Sequence, residues 1–146
     1  MGKSNKSSSR LFSVQILYEM EINGKSFEKI KKRFSEESFF ELEEINDLGK
    51  PNFNYIEKLV KGVSQNQDKI DTIIKDNLVG WSLARIDSLA RAILRVSVFE
   101  LLDDNNVPKK VVFNEYIEIA KFFFDADEPS FINAFLDTVS KNYKGL

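Results

Sequence analysis

Few residues in this chain have the type and spacing to do chemistry. Glu115 and Glu118 stand three apart, which puts both carboxylates on one helix face, where they could share acid/base work or hold a metal. A helical carboxylate metal site of that kind is completed by Glu-x-x-His pairs from other helices, and the chain has no histidine. A solvated face is the better account of these two acids, and Asn114 with Glu115 suggests a capping or partner-contact pair. Gly24-Lys25-Ser26 has the ending of a phosphate-binding loop, but the partner glycine would fall where Glu19 stands. Cysteine is absent too, which excludes thiol nucleophiles, disulfides and iron–sulfur sites, as the missing histidine excludes a Ser-His-Asp triad and an ordinary zinc site. The expectation is a protein without catalysis, cofactor or metal.

What remains is a basic start. Lys3, Lys6 and Arg10 precede the first acid, Glu19. A mobile basic arm that orders on contact suits a phosphate backbone, and Phe12, Tyr18 and Phe131 could stack on unpaired bases. The chain as a whole gives no such attraction: 21 basic residues face 23 acidic ones, a net charge of −2. Two further residues have structural expectations. Trp81, the only tryptophan, is expected as a core anchor. Arg95 lies in an apolar stretch and needs a carboxylate such as Glu100 or Glu115.

The elements that must position these groups are helical. At 146 residues and 42% hydrophobic content the chain is one domain, divided here into a flexible basic arm, residues 1–9, and a helical domain, residues 10–146. Leu11, Val14, Leu17 and Tyr18 begin a first helix, with Ser7, Ser8 and Ser9 as N-cap candidates and Gly24 as its stop. Phe27, Ile30 and Phe34 mark a short second helix. Residues 35–50 are acidic and read as a solvated connector, or else as a docking surface for a basic partner. Asn52 caps one long helix from Tyr55 to Leu78. Asp87 or Ser88 opens the most apolar helix, through Leu102. Val111 to Phe124 and Phe131 to Tyr143 form the last two, with Pro129 in the final first turn. No strand periodicity occurs, so the fold class is all-α, with about seven helices. No apolar run approaches a membrane span and no secretory signal is present, so the expected place is the cytoplasm.

Several of these stretches, in order, resemble the NusB family of transcription antitermination factors. They are Val14-Gln15-Ile16-Leu17-Tyr18, Trp81-Ser82-Leu83-Ala84-Arg85-Ile86-Asp87, Arg91-Ala92-Ile93-Leu94-Arg95, Asn114-Glu115-Tyr116-Ile117-Glu118 and Phe131-Ile132-Asn133-Ala134-Phe135-Leu136-Asp137. The resemblance implies a non-enzymatic RNA-binding protein that pairs with NusE, a small-subunit ribosomal protein. Together they bind the single-stranded boxA element of ribosomal RNA leaders within an RNA polymerase antitermination complex. Carried over by position, it implies RNA contacts at Lys3, Lys6, Arg10, Gln15, Ser130 and Phe131, with Asp127 tuning affinity by repulsion. NusE contacts are implied at Tyr18, Ile22, Ala90 and Arg91. Trp81, Ile93, Leu94, Ile117 and Leu136 are expected in the core, and Asn133 as a tie between helices. Two departures stand out: Ser7-Ser8-Ser9 replaces an arginine-rich arm, which should weaken RNA binding, and Ala134 replaces the family's usual glycine. Two competing readings are a helical scaffold, including a homodimer, and a stand-alone relative of the RNA-binding domain of ribosomal RNA cytosine methyltransferases. The latter would require a following Rossmann-like domain.

Overall fold

A computed structural model of the chain describes residues 5–34, 51–78, 80–103 and 107–142. Among them are seven α-helices, one 3₁₀ turn and no strand. Helix α1 (Asn5–Asn23) starts earlier than expected. Ser7, Ser8 and Ser9 are inside it rather than capping it, and Ser8 and Ser9 are fully buried. Small hydroxyl residues suit this position. The Ser9 hydroxyl accepts the Asn52 N–H at 2.8 Å and donates to the Asn52 carbonyl at 3.3 Å, tying α1 to the start of a later helix. Gly24 stops α1 as expected, at φ +64°, with its N–H donating to the Met20 carbonyl.

Helix α2 (Phe27–Phe34) buries Phe27 and Ile30. The acidic stretch 35–50 lies outside the described residues. Asn52 caps α3 (Phe53–Gln65) by accepting the Tyr55 N–H at 3.2 Å. The expected long helix is two helices, because Asn66 interrupts it before α4 (Gln67–Asn77). Asn66 leaves helical geometry at φ −120°, ψ 19°; its N–H is shared between the Gly62 and Val63 carbonyls at 3.2 Å each, and its side-chain amide also donates to the Gly62 carbonyl at 2.8 Å. Ile70, Ile73 and Ile74 still face the core, since α4 keeps its own helical period.

A 3₁₀ turn (Leu83–Arg85) leads to α5 (Ser88–Leu102), whose cap Asp87 accepts the Leu89 N–H at 2.9 Å and the Ala90 N–H at 3.4 Å. Helix α5 is the centre of the bundle. It is apolar around most of its circumference because α1, α3, α4 and α6 all pack on it. Helices α6 (Lys109–Phe123) and α7 (Glu128–Asn142) pair with each other. A bond of 2.7 Å from Asn142 Nδ2 to Asn77 Oδ1 joins the ends of α7 and α4.

Ile93, Leu94 and Leu136 are in the core as expected. Trp81 is not. It is 60% exposed, and Leu83 and Ile86 fill the core beside it instead. Ile117 is only half-buried, and Asn133 is exposed on α7 rather than between helices. Arg95 does pair with a carboxylate, but with Asp71 on α4, at 2.9 and 3.1 Å; another cation occupies Glu100 and Glu115.

Gly62, buried in α3, meets the Phe99 ring so closely that an added Cβ would lie 2.1 Å from it. Gly62→Ala should therefore cost about 1–2 kcal/mol in chemical denaturation, the ring's freedom to swing limiting the overpacking penalty.

Candidate nucleic-acid and partner interface

Arg10, expected at phosphates, is 2% exposed. From α1 its Nε and Nη2 donate to the Glu100 carboxylate of α5 at 2.6 and 3.0 Å, and its Nη1 donates to Glu115 of α6 at 2.7 Å. Two hydroxyls complete the cluster: Tyr55 donates to Glu100 at 2.8 Å and Tyr116 at 2.6 Å. Ser7 donates to Glu115. Glu115 is thus committed to an internal pair and is not a solvated acid. The cluster was legible in part. Glu100 is a lone charge in an apolar run, and Arg10 shares its helix face with Val14, so each needed a buried partner of opposite sign.

Burial alone would raise the Glu100 carboxyl, but the Arg10 guanidinium and the two tyrosine hydroxyls outweigh it and hold the group below the usual range. Burial, then the negative Glu100, push the Tyr55 and Tyr116 hydroxyls above theirs. A depressed carboxylate contributes stability above its unfolded pKa and loses it as the pH falls through the folded value. Raised tyrosines contribute below their unfolded pKa and lose it above. The protein should therefore be most stable between about pH 5 and pH 10. Urea midpoints measured across that range should be flat and should fall on both sides.

Around this anchor α1 presents a stripe at helical spacing: Ser7, Leu11, Gln15, Tyr18 and Ile22. Ser7 and Leu11 face Glu118, Ile119, Lys121 and Phe122 of α6 across a groove of about 290 Å³. Lys6 is exposed, its ammonium 5.3 Å from the centroid of the Tyr55 ring. Gln15 is half-buried, and its Oε1 is buried without a hydrogen-bond partner. Tyr18 is half-buried, whereas Ile22 is 54% exposed. Lys3 lies outside the described residues.

Two expected partner contacts are internal. Ala90 is 2% exposed. Arg91 folds back onto the 3₁₀ turn, donating to the carbonyls of Leu83, Ala84 and Ile86 at 3.4, 3.3 and 2.5 Å, and it pairs with Glu21 of α1. It fastens the start of α5 to the end of α1 instead of facing outward. At the start of α7, Ser130 is exposed and Phe131 is half-buried against Trp81. The exposed Trp81 and Phe122 were missed from the sequence. Each adjoins apolar neighbours, and sequence alone does not say which of them the core takes.

The NusB family model matches residues 7–141 of this chain. The transcription antitermination protein NusB of Caulobacter vibrioides is 41% identical over 138 residues, covering 94% of this chain and 93% of that one. T. maritima NusB has the same fold, with a TM-score of 0.77 and 26% identity over 98% of this chain and 94% of that one. A chain of the crystal structure of antitermination factors NusB and NusE in complex with dsRNA superposes with a TM-score of 0.76 at 24% identity, over 95% and 98% of the two chains.

Proposed function

Because the chain belongs to the NusB family, we propose that it is a non-enzymatic transcription antitermination factor that binds boxA-type single-stranded RNA of ribosomal RNA leaders together with NusE. It would act in the cytoplasm, within an RNA polymerase antitermination complex. The observation that carries this reading is the likeness to proteins named NusB over nearly the whole of both chains.

The surface supplies groups for both contacts. Lys6 offers charge to a phosphate, Gln15 a half-buried amide side chain, Ser130 a hydroxyl, and Phe131 part of a ring for a base. Tyr18 and Ile22 offer NusE an apolar patch at the other end of α1. Arg10, Ala90 and Arg91 drop out of the contact sets because their side chains are engaged inside the protein. The Ser7–Ser9 departure also changes meaning. Ser8 and Ser9 are buried, so arginine at either position would disrupt packing rather than restore an arm.

The test is fluorescence anisotropy of a boxA-like RNA, a scrambled RNA and a duplex, each with and without NusE and at two salt concentrations. Preference for boxA that tightens with NusE supports the reading. Equal, negligible binding to all three with NusE present overturns it and favours a helical scaffold. In the same assay Lys6→Gln should weaken boxA binding about threefold and reduce the log–log salt slope by about 0.7, the share of one phosphate on a single strand.

A further inference from the structure

Between Gly24 and Phe34 the sequence carries four lysines, one arginine and a single acid, Glu28, in a chain whose net charge is −2. The fold turns this imbalance into a surface. Phe27 and Ile30 face inward and join Phe12, Ile16, Ile56 and Val60 in a small apolar cluster. Lys25, Lys29 and Lys32 are left exposed ahead of α2 and along it. Lys31 leans over the Phe27 ring, 5.9 Å from its centroid, and reaches Glu57 of α3 at 3.5 Å. Lys61 reaches the same carboxylate at 2.7 Å, and Lys58 pairs with Asp103 at the end of α5 at 2.8 Å. Hydrogen bonding to Lys61 and the charge of Lys31 hold the Glu57 carboxyl below the usual range, as befits a surface where cations outnumber acids.

At about 3.6 residues per turn, Glu57, Lys61, Lys58 and Tyr55 follow one another around α3. Tyr55 is the ring beside which Lys6 rests its ammonium. The cations therefore form one band, from the proposed RNA contact at Lys6 across α3 to α2. On the band itself no large apolar side chain is exposed among the described residues; Phe53, 41% exposed one turn before Glu57, stands at its edge. A protein interface is built on apolar and aromatic anchors at its centre. Lysines with one aromatic at the margin suit a single strand instead, offering charge to its phosphates and a ring to a base.

We propose that this band is a second RNA contact, which holds the phosphate backbone of the strand beyond the bases that are read and has no sequence preference of its own. The proposal rests on the reading that the chain binds RNA, and it adds the path of the flanking strand.

The intact protein is titrated into labelled dodecauridylate at two salt concentrations and followed by fluorescence anisotropy. Two variants lose the same charge from exposed lysines. One carries Lys29→Gln with Lys61→Gln on the band; the other carries Lys75→Gln with Lys141→Gln at the joined ends of α4 and α7. The band variant should bind about tenfold more weakly at about 0.1 M salt, its log–log salt slope reduced by about 1.4, the share of two phosphates on a single strand. The other variant should stay within about twofold of the wild type, because charge lost that far from the strand is screened. Circular dichroism checks that both are folded. Equal losses in the two variants, or none in the band variant, overturn the proposal. So does dodecaglutamate that binds more tightly than dodecauridylate and loses that affinity in the band variant, which would make the band a dock for an acidic protein. Dodecauridylate has no boxA sequence and NusE is absent, so failure of the antitermination reading would show in the boxA assay and not here.

Discussion

Replacing Arg10 with methionine is expected to lower the free energy of unfolding by about 3–5 kcal/mol, read from urea titrations. The side chain it removes pairs through Nε and Nη2 with Glu100, whose carboxylate is fully buried. Without it that carboxylate must either stay charged, supported by neutral donors such as the Tyr55 and Tyr116 hydroxyls, or take up a proton. Two further variants separate the pair from its parts. Arg10→Lys should recover only part of the loss, because an ammonium cannot span both oxygens of Glu100 and reach Glu115 as the guanidinium does. Adding Glu100→Leu to Arg10→Met should recover much of it, since the orphaned charge, rather than the missing attraction, carries most of the cost. A phosphate-binding Arg10 would behave in the opposite way. Arg10→Met would then leave the urea midpoint in place and weaken RNA binding, and that result would overturn the structural role.

Ile22→Asp is expected to leave stability within about 0.5 kcal/mol and to weaken NusE binding by about 30-fold, or about 2 kcal/mol. The contrast comes from where the residue sits. Ile22 is 54% exposed near the end of α1, so aspartate there meets water in the free protein. In a complex it would be a desolvated charge against whatever the isoleucine had packed on. Calorimetric titration of NusE into the wild-type and variant proteins reads the affinity, and thermal melts confirm the fold. Unchanged affinity would remove Ile22 from the contact set and leave Tyr18 alone to argue for α1 as the partner-facing helix.

The family, the helical class and most helix boundaries were legible in the sequence because they depend on local signals. Asp87 and Asn52 cap helices through bonds to N–H groups two or three residues away, and Gly24 stops α1 at a positive φ that a glycine adopts without strain. The apolar spacing of α5 likewise marked it as the central helix. The break at Asn66 was missed because a single residue departs from helical dihedrals there, and an asparagine is found both inside helices and at their ends.

What only the tertiary structure decided is which charged and aromatic groups are inside. Arg10, Glu100 and Glu115 come from three helices and lie as much as 105 positions apart in the chain, so no spacing rule joins them. Packing α1 against α5 and α6 removed Arg10 from the basic start and gave it a structural task. The same packing left Trp81 outside, while Leu83 and Ile86 close to it in the chain are buried. A sequence fixes which residues can be buried through their period, but burial is a competition for a finite core volume, and that is settled only when the helices meet.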